Sequence, residues 1–276
     1  MTLQIFTLNW NGEEKLKKLY NSLMPSLKDV DYVWTIKDND SKDSSKELIK
    51  SWQNPNIHLI EYKNNLQNFA EGMNYCFDHA KPADDDFVLL LNNDVVVVDD
   101  KSIKNMIDLF KQDSVGLVGA RLLYTNTSKI QHCGVCFDPR NGYPFHLNSN
   151  IQSGSFDQKN REFQAVTGAV WLTKAKFYKE ICKTNKSNIG GLDESYIWGF
   201  EDIDGCLAIK YNMNKKVIYC GDSKFYHEES ATLKKNPQHK LFLKSNLNIF
   251  STKWRGRYII DANLYKKDST YKVYKL

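Results

Sequence analysis

Four short apolar runs lie in the first hundred residues: Leu3–Leu8, Tyr32–Ile36, Ile57–Tyr62 and Phe87–Leu91. Between them sit segments of helical spacing: Leu16, Leu19, Leu23 and Leu27, then Leu48, Ile49 and Trp52, then Phe69, Met73, Cys76, Phe77 and Ala80. Strand-length runs alternating with one-faced helical patterns constrain the fold more than any other feature of the chain. The order β-α-β-α-β-α-β predicts an α/β domain, a mostly parallel central sheet with helices on both faces. Asn11 with Glu14, and Ser44 with Glu47, read as capping boxes at the first two helices. In such sheets ligands bind beyond the carboxyl ends of the strands. Those ends carry Asn9, Asp38, Asn65 and Asn92-Asn93-Asp94. Neither a G-x-x-x-x-G-K-[ST] loop nor a G-x-G-x-x-G fingerprint occurs, so the P-loop and the dinucleotide motif are excluded.

The alternation then changes. Ile103, Met106, Ile107 and Phe110 give one more helix face, and residues 115–170 are strand-like and turn-rich, which predicts a mixed, antiparallel half of the sheet. A helix is expected from Lys174 to Cys182 and a turn at Gly190-Gly191. The turn Trp198-Gly199-Phe200 leads into the acidic cluster Glu201-Asp202-Ile203-Asp204, where a helix with Ile203, Cys206 and Leu207 inside should begin. Lys216–Cys220 reads as a strand, with His227 just past it, and Pro237 should open a last helix with Leu243, Leu247, Phe250 and Trp254 on one stripe. A base needs a carboxylate, and a carboxylate with a histidine at strand ends suits a metal. Helix-dipole chemistry alone also favours Glu-Asp at a helix start.

The net charge of +5 is uneven. Residues 234–276 hold eleven Lys/Arg against two Asp, which is +9, so the first 233 residues sum to −4. A basic amphipathic end points to an anionic surface or to a solvated helix face. No apolar run approaches the roughly 18–20 residues that span a bilayer. The N-terminus has neither basic nor apolar signal regions, so no signal peptide is expected. Six cysteines are scattered, and only Cys133 and Cys136 are close, with His132 beside them. A single C-x-x-C is weak evidence for zinc, and thiols packed in a strand are the better reading. Reduced cysteines imply a reducing, cytoplasmic compartment.

In order and spacing, the motifs of residues 3–255 resemble inverting GT-A glycosyltransferases of family 2, especially bacterial rhamnosyltransferase-like members. The matching pieces are Thr7–Gly12, Lys37–Ser41, Asn65–Asn74, Leu90–Asp94, Gly168–Leu172, Leu192–Glu194 through Glu201–Asp204, His227 with Ser230, and Asn246–Trp254. The resemblance implies a catalytic domain over 1–233, with a nucleotide-binding half (1–100) and an acceptor-binding half (101–233), followed by a basic helix and tail (234–276). It implies that Asp38 bonds the nucleotide base, that Asn9, Asn65 and Phe69 line that pocket, and that Asn93 and Glu201 serve substrate binding. Asp94, in the D-x-D position, and His227 would hold Mg²⁺ or Mn²⁺ on the diphosphate. Asp202 matches the general base and Trp198 borders the acceptor. Asn92 replaces the first D-x-D carboxylate, and a neutral amide binds a divalent cation less tightly, so metal dependence could be weak. Trp10, Trp171 and Trp198 are candidate sugar-stacking platforms.

The expected partners are a UDP- or dTDP-sugar donor, a glycan or lipid-linked acceptor in surface polysaccharide synthesis such as lipopolysaccharide or capsule, and an anionic membrane met peripherally from the cytoplasmic side. No nucleic acid is expected. Three alternatives stand beside this. A retaining GT-A transferase shares the W-G-x-E-D turn. A sugar nucleotidyltransferase wants a basic Gly-rich loop after the first strand, where Asn9–Glu14 is acidic. A non-catalytic glycan- or nucleotide-binding protein does not need Asp94, Asp202 and His227.

Overall fold

The computed structural model describes residues 1–62, 68–185, 190–228 and 239–265. Strands β1 (Leu3–Asn9), β2 (Tyr32–Asp38), β3 (Ile57–Glu61) and β4 (Phe87–Leu91) alternate with helices α1 (Glu13–Ser26), α2 (Ser45–Ser51) and α3 (Phe69–Ala80). The four strands pair parallel in the order β4-β1-β2-β3. Both faces of β1 are buried, Gln4 and Thr7 among its apolar residues included. Leu3 and Ile5 pack with Leu16, Leu19 and Leu23 of α1, while Phe6 packs with Met73, Cys76 and Phe77 of α3.

The second half holds β5 (Val95–Val97), α4 (Ser102–Asp108), β6 (Val115–Tyr124), β7 (Ile130–His132), β8 (Val135–Phe137), β9 (Pro144–His146), β10 (Arg161–Phe163), β11 (Val170–Lys174), α5 (Ala175–Lys179), α6 (Glu201–Leu207), β12 (Lys216–His227) and α7 (His239–Trp254). Past β4 the sheet continues with β11 antiparallel, β6 antiparallel to β11, β12 parallel to β6 and β10 antiparallel to β12. Strand β5 adds to β12, β7 adds to β6, and β8 pairs with β9 as a separate ribbon. The architecture is the α/β sheet with a mixed second half that the sequence predicts.

Several local expectations differ from the structure. Asn11 is not the cap of α1. It sits at φ 46° and its side-chain carbonyl accepts from the Lys42 amide at 2.7 Å. Ser44 makes no cap bond either. Asp43 serves both helices, accepting from the Ser45 amide at 3.1 Å and the Glu13 amide at 3.0 Å. For α1 a tertiary neighbour therefore takes the role that local spacing assigned to Asn11, whereas for α2 the cap is one residue earlier than Ser44. Helix α5 is shorter than Lys174–Cys182, although Ile181 and Cys182 remain buried. Strand β12 runs to His227 rather than stopping at Cys220. An irregularity between Cys220 and Lys224 interrupts its period and hides the continuation from sequence.

The stripe on α7 also differs. Phe250 and Trp254 are buried, but Leu243 is 41% exposed and the seam is completed by buried Asn246. Pro237 lies outside the described residues. Phe250 and Trp254 join the same core as Trp171 and Cys206, so α7 packs on the body of the domain. Among the described residues no helix is long and apolar enough to cross a membrane.

Candidate active site

The carboxyl ends of β1, β2 and β4 converge on one polar network. Asn9 ends β1 and is 1% exposed; its amide donates to Asp38 at 2.9 Å, and its carbonyl accepts from Asn93 at 2.9 Å. Asp38 ends β2, fully buried, and accepts from the Ser41 amide at 2.8 Å and the Ser41 hydroxyl at 2.7 Å. The carboxylate thus fixes the turn after β2. Gly12 is required here: a Cβ would lie 2.3 Å from Asn9 Oδ1 and 2.6 Å from Asn93 Nδ2. Phe69 is half-buried at the start of α3, which Asn68 caps by accepting from the Glu71 amide at 3.2 Å. Asn65 lies outside the described residues.

Next to Asn93, Asp94 meets His227. The His227 Nε2 is 3.1 Å from Asp94 Oδ1, and both side chains are 12% exposed. His227 arrives there because the end of β12 pairs with β5, His227 opposite Val95. Gln131, on β7, accepts from His227 Nδ1 at 2.6 Å, which turns Nε2 toward Asp94. Asn92 Nδ2 is 3.3 Å from the same Nε2. Lys15 lies 3.5 Å from the other Asp94 oxygen. Burial alone would raise the Asp94 carboxyl; the hydrogen bond and charge of His227, with Lys15, outweigh it and hold the group below its ordinary range. The pair fits a hard divalent cation. Two adjacent ligands at about 2.1 Å from an octahedral ion stand about 3 Å apart, near the separation found. An imidazole whose other nitrogen is held by an acceptor is the usual arrangement of a metal-binding histidine. Nothing isolated in the sequence marks Gln131 or Lys15, because their relevance arises only from the pairing of distant strands.

The acidic cluster follows a strained turn. Trp198, Gly199 and Phe200 all have positive φ, at 57°, 125° and 77°. Two non-glycine residues in that region cost about 1–3 kcal/mol each, so the surroundings must hold the turn. Asn246 of α7 does so, donating to the carbonyls of Ile197 and Gly199 at 2.7 and 2.9 Å and accepting from the Ile197 amide at 3.1 Å. Trp198 packs edge-on against Phe242. Glu201 is buried and accepts from the Gly199 amide at 2.9 Å. Asp202 accepts from the Gly168 amide at 2.7 Å. Burial raises both carboxyls, and the Asp202 charge raises Glu201 further. Asp204 is fully buried among Lys253 at 2.8 Å, Trp254 Nε1 at 2.6 Å and Tyr196 at 3.1 Å, so it anchors α7.

One loop joins these parts. Gly168 donates to Asp202, and the carbonyl of Ala169 accepts from the Asn92 amide at 3.0 Å. Residues 168–169 therefore connect the acidic cluster directly to the end of β4. Gly168 approaches closely, since a Cβ there would lie 2.9 Å from the Asp202 Cβ. Thr167, the preceding residue, donates to buried His132 Nε2 at 3.4 Å, and His132 Nδ1 is 3.0 Å from His146 Nδ1. His132 is engaged in this way rather than with Cys133 and Cys136, which are buried free thiols. Trp171 is fully buried and has no face for a ligand, whereas Trp10 is 45% exposed at the end of β1.

Comparison with known proteins bears on the family and the fold. The model of the family "Glycosyl transferase family 2" matches residues 5–181. The chain is 24% identical over 224 residues to O-antigen biosynthesis protein RfbC of Myxococcus xanthus, covering 79% of this chain and 16% of that protein. It is 27% identical over 180 residues to the uncharacterized protein y4gI of Sinorhizobium fredii, covering 62% of this chain and 18% of that protein. The chain thus spans under a fifth of the length of these relatives. Among solved structures, GalNAc-T7 with UDP, GalNAc and Mn²⁺ superposes with a TM-score of 0.66 at 14% identity, over 93% of this chain and 48% of that one. The mannosyltransferase PcManGT of Pyrobaculum calidifontis, with GDP-Man and Mn²⁺, gives 0.57 at 11% identity, over 96% and 78%. At such identities these likenesses speak for the fold, which is GT-A. With the family model covering most of the chain, this protein belongs to glycosyl transferase family 2.

Proposed function

We propose that the chain transfers a sugar from a UDP- or dTDP-sugar to a hydroxyl of a glycan or lipid-linked acceptor, with inversion, in assembly of a surface polysaccharide. The observation that carries this reading is the direct link, through Gly168 and Ala169, between the Asp94–His227 pair and Asp202. The likeness to an O-antigen biosynthesis protein supports the pathway class, and the rhamnosyltransferase-like motifs support inversion. Asn9, Asp38, Asn65, Phe69 and Asn93 bind the nucleotide end, and Trp198 and Glu201 border the acceptor. Asp94 and His227 would hold Mg²⁺ or Mn²⁺, and the ion would supply positive charge for the leaving diphosphate. Asn92 makes that dependence weaker than a second carboxylate would.

Asp202 takes the acceptor proton. As the acceptor oxygen bonds to the anomeric carbon, the bond from that carbon to the phosphate oxygen breaks. Its electron pair leaves with the nucleoside diphosphate, and the hydroxyl proton passes to the Asp202 carboxylate. A carboxyl raised by burial is a stronger base when ionised, and general-base help is worth roughly 10²–10⁴-fold. The test is a panel of nucleotide sugars with Mn²⁺, Mg²⁺ or EDTA, reading nucleoside diphosphate release and the anomeric configuration of the product. Asp202→Asn should lose about 10²-fold or more in turnover while nucleoside diphosphate binding holds. Near-normal turnover in that variant, or a retained anomeric configuration, removes the base assignment or the inversion. The exposed Arg255 and Arg257 with the basic residues beyond them give a salt-sensitive contact with an anionic membrane on the cytoplasmic side. Equal sedimentation with anionic and neutral vesicles would refute that contact.

A further inference from the structure

Lys15 stands at the candidate metal site without an assigned part in it. It lies in the first turn of α1, and one face of that helix carries it over the end of β4. Ser22 Oγ accepts from the Val97 amide at 3.1 Å, Lys18 Nζ donates to Glu228 at 3.3 Å, and Lys15 Nζ is 3.5 Å from Asp94 Oδ2. Residues 15, 18 and 22 share a helix face by their spacing. The strand side is held as well, since the Glu228 amide donates to the Asp94 carbonyl at 3.0 Å. Asp94 therefore divides its carboxylate, with Oδ1 toward His227 Nε2 and Oδ2 toward Lys15. Among the described residues Asp94 is the only ion-pair partner of Lys15, whose side chain is 29% exposed. At 3.5 Å the contact is too long for a well-formed hydrogen bond, so it is mainly the attraction of two opposite charges.

An ammonium and a divalent cation are both drawn to a carboxylate, and they repel each other. Asn92 is neutral, so Asp94 carries the negative charge beside His227, and before a donor binds Lys15 already balances it. A nucleoside diphosphate sugar brings two negative charges. One carboxylate, one ammonium and one divalent ion sum to two positive charges, which matches the donor. We propose that Lys15 is a diphosphate-binding residue that covers Asp94 until the donor arrives, and that the diphosphate draws the ammonium away and so opens Asp94 to the divalent ion. This inference rests on the transferase reading and adds to it a coupling between its two ligands. Donor and ion each strengthen the binding of the other, because the donor removes a competing positive charge from the ion's ligand. The fixed ammonium also supplies charge that the ion would otherwise supply alone, in keeping with the neutral Asn92.

The test measures UDP binding by calorimetry and Mn²⁺ binding by the electron-spin signal of the free ion, both on the full chain. Lys15→Met keeps the length of the side chain and removes its charge. In EDTA it should weaken UDP about tenfold. Without nucleotide it should tighten Mn²⁺ about threefold or more. Lys15→Arg keeps the charge and should stay within about threefold of wild type for both ligands. Lys18→Met removes an exposed charge from the same helix face and should leave both within about twofold. The opposite signs for the two ligands are the deciding result, because a misfolded or loosened site weakens both. Loss of both in Lys15→Met would make Lys15 a brace for Asp94. Unchanged UDP affinity would remove the diphosphate contact, and unchanged Mn²⁺ affinity would remove the competition. Each of these overturns the proposal. Failure of the wild-type protein to bind UDP, dTDP or GDP at all would instead strike the donor assignment under the proposed function, and this inference with it.

Discussion

Replacing Trp254 by Phe isolates what α7 does for the acidic cluster. The indole Nε1 donates to Asp204 Oδ1 at 2.6 Å, and Asp204 is fully buried. Phe keeps most of the apolar packing and removes that one donor. Asp204 then retains Tyr196 at 3.1 Å and Lys253 at 2.8 Å. A hydrogen bond to a charged group contributes about 1.5–3 kcal/mol. At about 2–4 °C per kcal/mol for a domain of this size, Tm should fall by about 3–12 °C. The loss should depend on pH. Burial raises the Asp204 carboxyl, with Lys253 and Trp254 acting against it. A carboxyl whose folded pKa exceeds its unfolded value of about 3.9 favours the fold when protonated. That stability declines as pH rises through the folded pKa. Removing Trp254 Nε1 takes away a group that stabilises the anion, so the variant declines further over the same rise. Thermal unfolding by circular dichroism at pH 4.5 and pH 8 should show the larger gap from wild type at pH 8. Equal Tm values, or a gap that widens in acid, would refute the argument that Asp204 is held as an anion by α7.

Three further expectations follow from the site. Gly168→Ala puts a methyl 2.9 Å from the Asp202 Cβ, so Asp202 must shift; a displacement near 1 Å costs about 10²-fold in turnover, and unchanged nucleotide-sugar turnover would show that Asp202 tolerates the move. Gln131→Leu frees the ring of His227 and should weaken Mn²⁺ binding about 10–100-fold by calorimetry, and unchanged affinity would mean that Gln131 does not orient the ligand. Glu201 is raised by burial and by the Asp202 charge, so its contribution to stability is present in acid and declines as pH rises from its unfolded value of about 4.3 through the higher folded one; Glu201→Gln should flatten the fall of Tm between pH 5 and pH 9, and an unaltered slope would contradict the raised carboxyl.

The sequence by itself determined the parallel half of the sheet. Both faces of β1, β2 and β4 are covered, so their runs are mostly apolar rather than alternating, and the helices between them show one-sided spacing. That signal is local, and it survives without knowledge of the partners. The strand-end residues Asn9, Asp38 and Asp94 were legible for the same reason, since a strand's end can be read where its apolar run stops. The end of β12 was not legible, because an irregularity near Gly221 breaks the period that would have carried the strand to His227. The cap of α1 was not legible because Asp43, from elsewhere in the chain, takes the amide that opens it, and the cap of α2 was misplaced by one residue, since Asp43 rather than Ser44 accepts from the Ser45 amide. Only tertiary structure decided which surroundings each acid of the cluster has. Asp202 faces the Gly168 amide, Glu201 is turned to Gly199 and Asp204 is sealed under Lys253 and Trp254. Four residues in a row offer three carboxylates of nearly the same chemistry. Their separation into distinct environments comes from contacts at sequence distances of 34 and about 50 residues, which no local pattern encodes.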